Sequence, residues 1–257
     1  MMTMTNHYLK AALAALMALA LAASLLAQFA KPATAALTRE ALAWGNGPFG
    51  ELGNGTTSVE SPPVEVSNLG AVKAISAGCN HALALQEDGT VWAWGDNSHG
   101  QLGNGTSGNG SQGPDTFSNV PVKVSNLSGV KAISAGCEHN LALKADGTVW
   151  AWGRNDYGRL GNGTTDLAST PVEVSNLDGV KAISAGNTHS LALKEDGTVR
   201  AWGYNYYGQL GNATVSNYRK TPVVVKTASG ATLGNVRSIA ASSRHSLALK
   251  EDGTIRA

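Results

Sequence analysis

The sequence predicts an all-β protein, a β-propeller of four-stranded blades with about four repeats present. Three observations carry that reading. A unit of about 50 residues recurs along the chain, an Asp-Gly pair between alternating apolar runs recurs within it, and no helical periodicity appears after residue 35. A period of that size belongs to arrays whose units bury their apolar faces on one another. Asp-Gly between alternating runs is the strongest short-range hairpin signal.

The repeat is fixed by several series in one register. Trp-Gly begins at Trp44, Trp94, Trp152 and Trp202, at spacings of 50, 58 and 50 residues. Asp-Gly begins at Asp88, Asp146, Asp196 and Asp252, and His81, His139, His189 and His245 keep the same intervals of 58, 50 and 56. The longer intervals come from a Gly-rich insertion near 107–116 and an extended stretch near 227–235. Units run roughly over 41–94, 95–152, 153–202 and 203–257.

Each element follows from local chemistry. In the copy from Pro121 to Gly153, PVKVS at 121–125 opens on a proline, suited to a strand start or an edge. VKAISA at 130–135 follows a turn at Gly129, HNLALK covers 139–144, and Asp146-Gly147 separates it from TVWAW at 148–152. Four short strands per repeat result. Side chains alternate along a strand, so Leu141 and Leu143 face one way and Ala142 the other. Both faces are apolar, which requires a sheet on each side, large face against small. The small residues of VKAISA suit the place where blades converge. Radial repetition of such sheets is a propeller; a β-solenoid is disfavoured because its coils are usually shorter than this unit.

The first 35 residues read differently. Lys10 precedes an unbroken apolar run over 11–26, followed by Ala33-Thr34-Ala35. This is the pattern of a signal peptide over 1–35 with cleavage after Ala35. The run is short for a membrane span, so an exported product over 36–257, extracellular or in the periplasm or envelope and without a stable membrane anchor, is expected. The whole chain carries a net charge of +1, and losing Lys10 and Lys31 leaves one more acid than base. Neither balance has the basic footprint of a nucleic-acid binder.

The stretch AISAGCEHNLALKADGTVWAWGRNDYGRLGNGT, residues 132–164, resembles the repeat of the regulator of chromosome condensation family. The Gly-x-x-His, Asp-Gly, Trp-Gly, Asn-x-x-Gly and Leu-Gly elements recur together over nearly all of 36–257. The resemblance implies a seven-bladed ring, of which this chain would hold part. It also implies similarity to exported propellers of the β-lactamase inhibitor protein II type. Two arrangements of the last copy fit: a larger ring interrupted at Ala257, which is favoured, or a four-bladed ring in which 236–257 pairs with 41–67. Ser242 stands where other copies have Gly78, Gly136 and Gly186.

Most recurring residues have a structural reading. The four histidines and the four Trp-Gly tryptophans are expected to be structural, each histidine satisfied by backbone within its own blade; a metal site is not expected, and no cofactor is implied. Cys79 and Cys137 occupy equivalent positions in neighbouring copies; they pair only if the blades meet near an axis, and two free thiols are the favoured state. Asn54, Asn104, Asn162 and Asn212 fit the glycosylation acceptor pattern, yet Asn-Gly is turn chemistry first.

Positions that vary between copies are the better guides to function. After Trp-Gly the copies read Asp96-Asn97-Ser98-His99, Arg154-Asn155-Asp156-Tyr157 and Tyr204-Asn205-Tyr206-Tyr207. The last position, Phe49 in the first copy, is expected to pack. Asp96, Arg154, Asp156, Tyr204 and Tyr206 are expected to bind an unidentified protein, with Trp92, Trp150, Arg200 and Arg256, which share another varying position. Loops on a rigid scaffold commonly carry binding, and Tyr and Arg are favoured anchors. No catalytic constellation is present in the sequence, so an enzyme is not expected. The expected function is therefore an exported protein-binding module, possible targets including an extracellular enzyme. The alternative implied by the family resemblance is nucleotide exchange on a small GTPase. The resemblance to the plant ultraviolet-B photoreceptor fold is set aside, because Asn80, Glu138, Thr188 and Arg244 precede the histidines where tryptophans would be needed.

Overall fold

The computed structural model describes residues 40–108 and 116–257. The leader expected over 1–35 and the middle of the insertion lie outside the described residues. Every element among the described residues is a strand or a turn. A short pair, β1 (Leu42–Gly45) and β2 (Glu60–Glu65), comes first. The first full sheet contains β3 (Val72–Ala77), β4 (His81–Gln86), β5 (Val91–Asp96) and β6 (Phe117–Lys123). The second contains β7 (Val130–Ala135), β8 (His139–Lys144), β9 (Val149–Gly153) and β10 (Ala168–Glu173). The third contains β11 (Val180–Ala185), β12 (His189–Lys194), β13 (Val199–Tyr204) and β14 (Tyr218–Val224). The last is β15 (Val236–Ala241), β16 (Ser246–Lys250) and β17 (Ile255–Arg256). All pairs are antiparallel meanders in chain order, the blade pattern expected from the sequence.

The phase of the blade differs from the phase of the unit read from Pro121. The PVKV strand pairs backward, Trp92 opposite Lys123 and Ala93 opposite Val122. It is thus the outermost strand of the preceding sheet, and Pro121 sits on an edge where its missing N–H breaks no ladder. The turn at Asn126, with φ of 54°, and Gly129 then carries the chain to the next blade. The closing arrangement that would pair 236–257 with 41–67 is not formed: β1–β2 and β15–β17 are separate sheets. Trp44, the first of the Trp-Gly series, is 66% exposed, whereas Trp94, Trp152 and Trp202 are buried.

The core lies between sheets. Leu83 and Leu85 of β4 pack with Ala142 of β8 and Trp152 of β9; Leu141 and Leu143 of β8 pack with Ala192 of β12 and Trp202 of β13. Large faces meet small faces, as the alternation predicts. Each buried leucine contributes about 1.5–3 kcal/mol.

The innermost strands β3, β7, β11 and β15 are joined edge to edge by a serine ladder. Ser76 Oγ accepts from Ala135 N–H at 2.9 Å, Ser134 Oγ from Ala185 N–H at 3.0 Å, and Ser184 Oγ from Ala241 N–H at 2.9 Å. Just beyond, a Cβ on Gly78 or Gly136 would stand 2.6 or 2.5 Å from the next blade's Gly136 or Gly186 carbonyl, so glycine is required there. This convergence brings the Cys79 and Cys137 Cα atoms to 4.5 Å, and the two form a disulfide. The expectation of two free thiols is corrected: blades meet closely enough here to bridge.

Candidate protein-binding rim

The loops after Trp-Gly are built on two fixed points. The first is the glycine. Gly95, Gly153 and Gly203 have φ near 100°, and a Cβ at any of them would lie 2.5–2.6 Å from the carbonyl preceding the repeated histidine. The third strand thereby turns out of its sheet against the second. The second fixed point is a buried asparagine. Asn155 Oδ1 accepts from Leu160 N–H at 3.0 Å, and its Nδ2 donates to the carbonyls of Thr164 and Asp166. Asn97 and Asn205 hold Leu102 and Leu210 in the same way.

The base of each loop is held by the next blade. Trp202 Nε1 donates to the Arg159 carbonyl at 2.8 Å, and Ser190 Oγ donates to the same oxygen at 2.9 Å. Trp152 and Asn140 do the same at the Gln101 carbonyl. The repeated histidines complete this network. His81 Nε2 meets Asn140 Oδ1 at 2.7 Å, His139 Nε2 meets Ser190 Oγ, and His189 Nε2 meets Ser246 Oγ, both at 2.9 Å. Since Ser190 and Ser246 spend their protons on carbonyls, each histidine donates from Nε2, and its buried Nδ1 has no acceptor for a second proton among the described residues, which favours the neutral ring. The sequence leads one to expect each histidine to be satisfied by backbone within its own blade. Their partners, however, are side chains of the following blade, not backbone of their own, because the small residue after the next histidine faces them across the gap.

Burial lowers the pKa of all three. His139 is pushed well below 6.5 by burial and by Arg159, His189 and His81; His189 falls to about 4 through burial and His245; for His81 burial outweighs the hydrogen bond to Asn140. Neutral, buried imidazoles in these places hold blades together, and no group of three or more potential metal ligands occurs among the described residues.

On this frame the variable residues of the second and third blades converge. Tyr157 lies 4.7 Å from Tyr204 and 6.4 Å from Tyr218, ring centre to ring centre. Tyr204 stacks on Tyr206 at 6.3 Å, and Tyr206 meets Tyr207 edge-on at 5.2 Å. Beside them Arg154 reaches Asp156 Oδ2 at 2.6 Å and Glu138 Oε2 at 2.8 Å. Arg159, only 1% exposed, lies 3.6 Å from Glu138 and 5.7 Å from the Tyr157 ring. Arg244 lies 5.0 Å over Tyr207.

Four of the sequence candidates, Arg154, Asp156, Tyr204 and Tyr206, thus share one site. Asp96 does not offer a contact: it is 8% exposed, and its carboxylate accepts from Ser98 N–H, Ser98 Oγ and Gln101 Nε2. Trp92, Trp150 and Arg200 are the second residues of the third strands, whose other ends carry the loops about 13 Å away at strand rise. Trp92 donates to Gln86 there, Lys144 lies over Trp150, and Arg200 reaches Thr198 at 3.5 Å. The sequence reading missed Tyr207, assigned to packing but 54% exposed. Tyr157, at the same repeat position, was likewise assigned to packing, and Tyr218, Glu138 and Arg244 were not singled out for binding. Glu138 and Arg244 were visible as the variable position before the histidine.

The sequence matches the family model for the RCC1-like domain over residues 27–257. Two solved structures share the fold. Prp20p from Saccharomyces cerevisiae, described with its binding properties to Gsp1p and histones, is 24% identical with a TM-score of 0.67, over 80% of this chain and 50% of its own. Human WBSCR16 is 24% identical with a TM-score of 0.69, over 82% of this chain and 53% of its own. The chain therefore spans about half the length of either.

Proposed function

Because the chain belongs to the RCC1-like domain family, we propose that it is a protein-interaction module, exported, whose contact surface is the rim formed by Tyr157, Tyr204, Tyr206 and Tyr207. One observation carries this reading. Three of those rings are exposed, on loops pinned by buried asparagines and by the following blade, and exposed aromatic side chains on rigid supports are what hot spots are made of. The ion network of Arg154, Asp156, Glu138 and Arg159 keeps the second-blade loop in place beside them.

Export is supported by the apolar run over 11–26 with its small-residue flank. The pairing of Cys79 with Cys137 favours the same reading, since disulfides persist in oxidising compartments.

The test has two arms. Expressed with its own leader, the protein should appear outside the cytoplasm with Ala36 as its first residue by N-terminal sequencing; an uncleaved intracellular product would end the export reading. The purified product should then retain a partner from culture supernatant or envelope fractions that a Tyr157→Ala, Tyr206→Ala double variant does not. Equal retention by both proteins would remove the rim from the contact surface.

A further inference from the structure

We infer that the partner segment seated on the tyrosine rim is acidic, its carboxylates set against Arg244 while its apolar atoms lie across Tyr204, Tyr206 and Tyr207. This rests on the rim being the contact surface, and it goes further by fixing the chemistry of what docks.

The charge balance of the rim supplies the argument. Each carboxylate in the cluster is already committed: Glu138 to Arg154 and Arg159, and Asp156 to the same two guanidiniums. Among the described residues Arg244 and Arg219 have no such partner. Arg244 lies over the Tyr207 ring, and Arg219 reaches only the Tyr218 carbonyl at 3.2 Å and Thr214 Oγ1 at 3.5 Å. Arg244 is thus an uncompensated cation set directly on the exposed rings. A guanidinium resting on an aromatic face keeps its N–H edge available for a forked pair with a carboxylate.

The same geometry disfavours a basic segment. Tyrosine faces attract cations, but Tyr157 already carries Arg159 and Tyr207 already carries Arg244. An incoming lysine or arginine would find those seats filled and the uncompensated charge of Arg244 beside them. The rings also order one another, Tyr206 lying 16° from the Tyr204 plane and 86° from the Tyr207 plane. A rim so arranged loses little entropy on binding.

Short synthetic peptides in three classes test this by fluorescence anisotropy with the full purified chain. All contain Pro and Leu; one class adds Asp and Glu, the second Lys and Arg, and the third Ser and Gln. Acidic peptides should bind tightest and weaken as salt rises. Their affinity should drop about tenfold or more with Arg244→Glu and with Tyr206→Ala. It should be unchanged by Lys131→Glu, an identical charge reversal at the opposite end of a sheet. Tyr206→Phe, which keeps the ring, should retain most of the affinity, and thermal melts confirm that each variant folds.

A preference for basic or uncharged peptides, lost with Tyr206→Ala but not with Arg244→Glu, would overturn the acidic partner while leaving the rim reading intact. Equal loss with Lys131→Glu would reduce the effect to overall charge and overturn the inference. So would failure of all three classes to bind, and the rim reading would then stand or fall on the capture experiment alone.

Discussion

At the scale of single residues, recurrence in this sequence marks packing and variation marks the rim, but only contacts tell which variable residues are available. Tyr204, Tyr206, Arg154 and Asp156 are legible because their chemistry changes between copies at one loop position. Asp96 varies in the same way and is nevertheless consumed by Ser98 and Gln101, since residue types alone do not say which polar groups satisfy one another across a loop. The histidines allow a pH prediction. Their folded pKa values lie below the unfolded 6.5, so between pH 6.5 and about 4 the unfolded chain binds protons that the folded one refuses. Stability must then rise with pH through that window and be lost as pH falls. Between pH 6.5 and 5, above the range where carboxylates titrate, His189 alone should account for roughly 2 kcal/mol. Urea midpoints measured at pH 7 and pH 5 check this, and equal midpoints would mean that the imidazoles are hydrated. At Gly136 the expectation is steric: a Cβ 2.5 Å from the Gly186 carbonyl should make Gly136→Ala destabilising by about 2 kcal/mol or more, whereas Gly163→Ala, with open space around it but φ of 87°, should cost only about 1 kcal/mol. Comparing the two variants by denaturation separates crowding from backbone conformation.

At the scale of elements, strand existence was legible from alternation and Asp-Gly turns, while the grouping of strands into blades was not. The PVKV strand looks like the start of a unit because a turn follows it. Its register with β5 is set by apolar contacts that no single-copy pattern displays. Nor does the sequence reveal that a loop of one blade is held by the next. Trp202 illustrates what that link contributes. Its indole donates to the Arg159 carbonyl and its ring lies against Gly161 and Val174, beneath the loop that carries Tyr157. Trp202→Phe keeps most of the packing and removes the donor, while Ser190 still satisfies that carbonyl; a loss of about 1 kcal/mol is expected. Trp202→Ala also empties the space between two sheets and should cost about 3–5 kcal/mol. If the two variants unfold at the same denaturant concentration, the link is the hydrogen bond and not the packed ring.

At the scale of the whole molecule, the main strand-to-strand contacts between sheets of the described residues join adjacent sheets, so stability is expected to accumulate blade by blade in the manner of repeat arrays. The Cys79–Cys137 disulfide adds one covalent term to this series, between the first and second full sheets, closing a sequence separation of 58 residues. A loop of that length stabilises by about 4 kcal/mol in the chain-entropy picture. Removing the bridge with Cys79→Ser and Cys137→Ser together should therefore weaken the first sheet against the second. It should leave the contact of the second sheet with the third nearly unchanged, because Leu141, Leu143, Ala192 and Trp202 hold that interface without any covalent help. Hydrogen exchange resolves the two interfaces. Amides of β3–β5 should lose protection in the double variant, and those of β12 and β13 should retain it. A uniform loss across all sheets would mean that the blades unfold as one cooperative body, and the nearest-neighbour description of this array would have to be given up.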